Sequence, residues 1–304
     1  MSLLKKLNRT KNLLKKVDRY QEDLDLIKVN QGRILAEMYK SRSNMNEAEF
    51  KVFSQWGEDG IIQFLLNKIG NDCHKSFIEF GVENFTESNC RFLLINDLWK
   101  GLIIDGSQNN IDYIKKDNIC WRYPLTPVCA FIKKDNINDL IKKAGFGGRV
   151  GILSVDIDGN DYWVLENIDV EADILITEYN SIFGDKAKVS VPYDPDFQRT
   201  SKHYSNLYWG ASLGALNYLA DKKGYFLVGC NTNGNNAFFM NKKFAGKLVK
   251  KEVSEVFRDS SFRESRDRES VLTFLDRSQG LSLLRDLQVT DVETMKSVSL
   301  AEIR

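Results

Sequence analysis

Four short, uninterrupted apolar runs constrain this chain most: Ser76–Gly81, Gly101–Asp105, Val150–Asp156 and Asp173–Glu178. A run without polar alternation suits a strand covered on both faces. Amphipathic stretches lie between the runs, such as Gly60–Ile69, Asn89–Leu98 and Asn136–Ala144. Buried strands alternating with helices predict an α/β fold, a Rossmann-like doubly wound sheet that is mostly parallel. Tyr225–Cys230 and Ala237–Met240 flank the turn-rich Asn231–Asn236, which predicts a terminal antiparallel strand pair. Together these elements place one domain over residues 50–248.

The flanks read differently. Residues 1–45 contain no proline, and their apolar residues recur at Leu13, Val17, Tyr20, Leu24, Ile27, Ile34 and Met38, with Gln31 in the one slot that breaks the stripe. Steps of three and four predict an amphipathic helix or coiled-coil segment and a homo-oligomer. The start of this segment is basic (Lys5, Lys6, Arg9, Lys11, Lys15, Lys16, Arg19) and interleaved with leucines. That pattern also suits peripheral contact with an anionic membrane surface. Residues 249–304 are highly charged and predict a helical tail packed on the core or on a partner.

Charge and cysteine usage narrow the class. Lys+Arg total 43 against 42 Asp+Glu among 304 residues, a balance that argues against nucleic-acid binding. Five cysteines without CxxC pairing predict reduced thiols in a cytoplasmic protein. An apolar run long enough to span a bilayer is absent from the sequence, and the basic N-terminus lacks the apolar core of a secretory signal.

In an open parallel sheet, ligands bind beyond the carboxyl ends of the strands. Here each apolar run stops at a carboxylate: Glu79, then Asp105, then Asp156 and Asp158, then Glu178. After Glu79 the chain turns at Gly81, and glycine permits close backbone approach to a ligand. Asp105 follows Glu79 by 26 positions, and a carboxylate there can accept both hydroxyl protons of a ribose. The order strand, turn, helix, strand, acid points to a nucleoside-bearing cofactor. Without a GxGxxG, a dinucleotide is disfavoured.

Ser54-Gln-Trp-Gly-Glu-Asp-Gly-Ile61, Ile78-Glu-Phe-Gly81, Ile104-Asp-Gly106, Leu153-Ser-Val-Asp-Ile-Asp-Gly-Asn-Asp-Tyr162 and Lys223-Gly-Tyr-Phe-Leu-Val228 occur in that order over about residues 50–245. This arrangement resembles a class I S-adenosylmethionine-dependent methyltransferase, nearest the FkbM-like group. The resemblance implies that the Gly81 turn cradles the methionine part of S-adenosyl-L-methionine and that Asp105 holds its ribose. Glu79 and Asp156 would complete the cofactor site, together with Gln55 and Glu58 unless Ser54–Ile61 is only a capping segment with Ser54 as the helix cap. Glu83 and Phe85 stand where that turn usually carries further glycines. The resemblance further implies an O-methyltransferase acting on a hydroxyl of a sugar or glycan-type substrate, as in polysaccharide biosynthesis.

Hard oxygen donors from neighbouring strand ends suit Mg²⁺. Comparison with metal-dependent O-methyltransferases would make Asp156, Glu178 and Asn180 its ligands; otherwise the aspartates cap the following helix and Glu178 pairs with a lysine. Methyl transfer to a hydroxyl needs a base. The long segment Phe183–Tyr208 holds His203 among prolines and aromatics, so His203 is one candidate and Asp158 the other. Tyr162 and Trp163 read as core residues, and Ser212 lacks the partners of a nucleophile. Two other readings stay open: a metal-dependent nucleotide-sugar enzyme such as a glycosyltransferase using Asp156 and Asp158, and a non-catalytic scaffold with this fold.

Overall fold

The computed structural model describes residues 3–303; the side chains of 3–12, 14, 15, 18 and 19 also lie outside the described set. Most of the basic, leucine-containing start, with its expected membrane contact, therefore falls outside the described residues. The helices are α1 (Leu3–Tyr39), α2 (Glu58–Ile69), α3 (Arg91–Asp97), α4 (Gln108–Lys116), α5 (Ile119–Arg122), α6 (Ile137–Lys143), α7 (Asp161–Asn167), α8 (Arg199–Lys202), α9 (Leu213–Lys222), α10 (Val253–Val256) and α11 (Arg277–Leu284). The strands are β1 (Ser76–Phe80), β2 (Lys100–Asp105), β3 (Leu125–Cys129), β4 (Arg149–Val155), β5 (Glu171–Glu178), β6 (Val189–Ser190), β7 (Tyr225–Cys230), β8 (Asn236–Asn241), β9 (Gln288–Asp291) and β10 (Lys296–Ser299). No helix among the described residues is long and apolar enough to cross a membrane.

Seven strands form one sheet in the order β3-β2-β1-β4-β5-β8-β7. β1 to β5 run parallel, and β8 lies antiparallel to both β5 and β7. This is the doubly wound α/β sheet, with its late antiparallel pair, that the apolar runs predict. β3 escapes that pattern because Pro127 interrupts it; proline is tolerated there because β3 is an edge strand.

Successive side chains of each strand point to opposite faces, and each face has its own core. Ile78, Leu102, Leu153 and Leu175 pack with residues of α6, α7 and α9, including Tyr162 and Trp163. Phe77, Ile103, Ile152 and Ile174 pack with α2 to α5 on the other face. Helix α1 docks through Val29 and the partly buried Leu35, Ala36 and Tyr39 onto Phe50, Val52, Phe53 and Phe92.

Residues 249–303 contribute α10 and α11 and, beyond the expected helices, the strands β9 and β10. These join β6 in a three-stranded antiparallel sheet. Its core, built from Val189, Val191, Leu284 and Val289 with Trp209, sets this layer beside the carboxyl ends of the main strands.

Candidate functional site

The strand order reverses between β1 and β4, both of which pair with the parallel neighbours on either side. A crevice opens at such a switch point beyond the strand ends. The tip of β1 and the tip of β4 meet there. Gly81 has φ of +68°, and a Cβ on it would stand 1.8 Å from the Asp156 carbonyl oxygen. The backbone N–H of Gly81 donates to Ile104 O at 3.1 Å, tying the turn to β2 as well. Glu83 and Phe85, in place of the further glycines, themselves take left-handed conformations (φ 47° and 61°), and Phe85 is fully buried.

Glu79 closes the same turn from inside. Its carboxylate accepts from Ser88 Oγ at 2.6 Å, Asn89 N at 2.7 Å and Cys90 N at 3.1 Å. Burial raises its pKa, opposed by these donors. Glu79 therefore shapes the loop over the crevice.

Two cavities fill the crevice. The smaller, about 190 Å³, lies beyond β1 to β4 between Gly81, Ile104, Asp105, Phe131, Ile132 and Ile157. Asp105 Oδ1 accepts from Ser107 N at 2.8 Å and Asn110 Nδ2 at 3.1 Å. These bonds fix the carboxylate without engaging Oδ2. The larger cavity, about 770 Å³, runs from Gln55 and Asn89 past Asp156, Asp158 and Glu178 to Trp209. Gly81, Glu83, Asp156 and Asp158 border both cavities, so one elongated ligand can lie across the two.

Oxygens of Asp156, Asp158 and Glu178 lie within 4.8 Å of one another. Burial raises the pKa of Asp156 most, followed by the charges of Asp158 and Asp161. Burial and then the charge of Asp156 likewise raise Glu178. Arg199 opposes both shifts. Both side chains are half-buried, and each carboxylate's charge disfavours ionisation of the other, so this pair holds a proton more readily than isolated carboxyl groups do. Arg199 Nη1 donates to Asp158 Oδ1 at 2.7 Å, its Nε donates to Asn206 O at 2.8 Å, and its guanidinium lies 4.7 Å over the Trp209 ring. Asp158 itself sits at φ +55°.

Other residues singled out from the sequence fall elsewhere. Asn180 borders the larger cavity, but its Nδ2 donates to Leu207 O and Trp209 O, both at 2.9 Å, and its Oδ1 accepts from Ile182 N at 3.0 Å. Its amide thus holds the neighbouring loops, while an oxygen of Asp158 joins those of Asp156 and Glu178. Gln55 lines the larger cavity; Glu58, three residues on, points away. The buried Glu58 carboxylate accepts from Trp56 N, Gly57 N, Asn231 Nδ2 and Asn236 Nδ2, so it braces the β7–β8 turn rather than facing the crevice. His203 borders neither of these cavities; it bonds Ser205 Oγ at 2.7 Å and stacks on Tyr204. Ser212 caps α9, accepting from Ala215 N at 3.1 Å.

The sequence reading overlooked Arg199 and the wall supplied by the C-terminal segment. Asp259 to Glu264, with Asp276 and Arg277, line the larger cavity. Phe262 meets Trp56 with ring centroids 6.0 Å apart, joining this segment to the loop before α2. Polar loop residues carry no periodicity; long-range bonds bring them to the site, Ser260 N donating to Ser181 Oγ at 3.1 Å and Ser261 N to Asn233 O at 2.7 Å.

Neither a family model nor a curated protein matches the chain. Among solved structures, the N-terminal domain of EvdMO1 with SAH bound is similar at 10% identity and a TM-score of 0.41, covering 69% of this chain and 92% of that one. An S-adenosylmethionine-dependent methyltransferase from Clostridium acetobutylicum ATCC 824 is similar at 9% identity and a TM-score of 0.40, over 69% of this chain and 98% of that one. A putative caffeoyl-CoA O-methyltransferase from Staphylococcus aureus gives 14% identity and a TM-score of 0.39, over 74% and 98%. The likeness is of fold, and it gives no residue a role.

Proposed function

We propose that this protein is an S-adenosyl-L-methionine-dependent O-methyltransferase, of the FkbM-like group, acting on a hydroxyl of a sugar or glycan-type substrate. One observation supports this reading above the rest: a small cavity with apolar walls on one side and an available Asp105 oxygen shares its border with a large polar cavity carrying a proton-retaining carboxylate pair.

The smaller cavity suits a nucleoside. Ile104, Phe131, Ile132 and Ile157 offer apolar walls, and Asp105 Oδ2 is placed to accept ribose hydroxyls. When bound, the cofactor supplies an electrophilic methyl group. The chain's own residues then orient the acceptor and take its proton. Glu178, with Asp156 beside it, is the base we favour over His203 and Asp158, because it faces the larger cavity and burial and the Asp156 charge raise its pKa, which strengthens it as a proton acceptor. Arg199 keeps Asp158 paired and the cluster's charge in check. Trp209 and Phe262 give the larger cavity apolar faces among its polar groups, a combination suited to sugar rings.

A divalent cation is a second reading, favoured by the convergence of the Asp156, Asp158 and Glu178 oxygens. These hard donors fit Mg²⁺ in type, with Asp158 rather than Asn180 as the third ligand, and Arg199 would have to yield Asp158. Full activity in EDTA would remove that reading.

Calorimetry with S-adenosylhomocysteine and with a sugar nucleotide tests the main proposal. Binding of the first alone, abolished in Asp105→Ala, is the expected result. Preference for the sugar nucleotide would give the site to a glycosyltransferase, and binding of neither by the folded protein would favour a scaffold. Transfer of labelled methyl groups to glycans from the producing cell identifies the acceptor.

A further inference from the structure

Helix α1 carries two stripes of heptad spacing on opposite sides. One, through Glu22, Asp25, Val29, Gly32, Ala36 and Tyr39, faces the body of the protein. Glu22 reaches Arg122 at 3.2 Å and Asp25 reaches Arg91 at 3.2 Å; Val29 is buried, and a Cβ on Gly32 would meet Val52 at 2.6 Å. The other stripe, Leu13, Val17, Tyr20, Leu24, Ile27, Ile34 and Met38, is 52–64% exposed, with exposed Gln31 in the remaining slot. It runs for nearly four heptads, about 38 Å at the α-helical rise, long enough for a coiled coil.

We propose that a second copy of this chain covers this stripe, as a parallel, in-register coiled coil of α1 helices. Val17, Leu24, Gln31 and Met38 then occupy the a positions, and Leu13, Tyr20, Ile27 and Ile34 the d positions. Charge complementarity names the occupant. The flanking g and e positions hold Asp23 and Lys28, and parallel pairing sets Asp23 of each copy against Lys28 of the other. Lys28 approaches its own chain's Asp25 at 3.9 Å and the Phe53 ring centroid at 5.8 Å, loose contacts that leave half of its side chain exposed. An antiparallel alignment of the same stripe would instead oppose Lys16 and Glu37, and Glu37 is already held by Lys40 at 3.2 Å. In register, Gln31 meets Gln31 of the partner subunit, so each amide has a complementary partner; a single polar a position fixes alignment in this way. The docked stripe leaves the seam clear of the protein's body, so two copies can pair without disturbing either core.

The test uses the full chain. Light scattering should give at least twice the monomer mass. Leu24→Asp/Ile27→Asp should give monomers with unchanged circular dichroism, because both side chains are exposed in the single chain. Oxidised Gln31→Cys should form a covalent dimer through that cysteine, and the link should be lost when the aspartates are added. A wild-type monomer across the accessible concentration range overturns the proposal, as does an assembly that survives the double substitution. Monomers that bind phosphatidylserine vesicles through this stripe would give it to a lipid surface and equally overturn it. Cross-linking between cysteines at 31 and 20, but not at 31 and 31, would overturn the parallel alignment.

Discussion

Asn231 Nδ2 donates to Glu58 Oε1 at 2.7 Å across a separation of 173 residues. The same oxygen accepts from Asn236 Nδ2 at 2.9 Å, while Oε2 accepts from Trp56 N and Gly57 N. One buried carboxylate thus joins the loop before α2 to the turn between β7 and β8. Replacing it leaves four donors without an acceptor. Glu58→Ala should lower stability by ~2–4 kcal/mol while the remaining folded protein keeps its affinity for S-adenosylhomocysteine. Chemical denaturation and calorimetry on the same variant separate the two effects; selective loss of affinity at unchanged stability would return Glu58 to the cofactor site.

Gly81 should tolerate no side chain. Its positive φ is strained for alanine, and the Asp156 carbonyl occupies the space a Cβ needs. Gly81→Ala should cost at least ~2 kcal/mol and weaken cofactor binding, since the tip of β4 must retreat. Asp105→Ala should remove binding with little change in thermal midpoint, because Asp105 Oδ1 serves only local loop bonds.

The Asp156 and Glu178 shifts fix the direction of the pH response. A base must be ionised to accept a proton, and burial raises the pKa of both groups. Activity should therefore fall with acidification at a pH above the ordinary carboxylate range, as an acid limb in kcat/KM. Glu178→Gln should reduce kcat by ~10²–10⁴-fold, and His203→Asn should leave it within a few-fold. A large loss in the histidine variant with its fold intact would reverse the assignment.

Asp59 provides a stability counterpart. It accepts from Val52 N, Phe53 N, Ser54 N and Ser54 Oγ, yet burial lifts its pKa from 3.8 to about 6. The folded state thus holds this proton more tightly than the unfolded chain. Its contribution to stability declines as pH rises from the unfolded value to about 6 and stays at the lower level above that. The stability of the wild type relative to Asp59→Asn should accordingly fall between about pH 4 and about pH 7, measured by urea unfolding. A difference that grows with pH would contradict the burial effect.

Continuous apolar runs make β1, β2, β4 and β5 legible, since only buried parallel strands dispense with polar alternation. The carboxylates at their ends are legible for the same reason: Glu79, Asp105, Asp156 and Glu178 all gather at one end of the sheet. Their partners are not. Asp158 and Asn180 lie two residues beyond the two carboxylates that bound the site, and only the loop conformation decides which side chain turns inward. Gln55 and Glu58 diverge in the same way at the entry to α2. Strands β9 and β10 read Gln-Val-Thr-Asp and Lys-Ser-Val-Ser; half-exposed and short, they offer no pattern that sets them beside β6, and so the wall they support stays hidden in the sequence.

Pro127 bears on how copies of this molecule can meet. Ala130 N donates to Asp105 O at 3.0 Å, so alternation along β3 turns the nitrogen of Pro127 toward the open side. That border of the sheet lacks a donor at its centre, and an approaching strand would find a gap in the ladder. Sheet-to-sheet accretion is discouraged on that flank, leaving side-chain packing as the route by which neighbours recognise one another there.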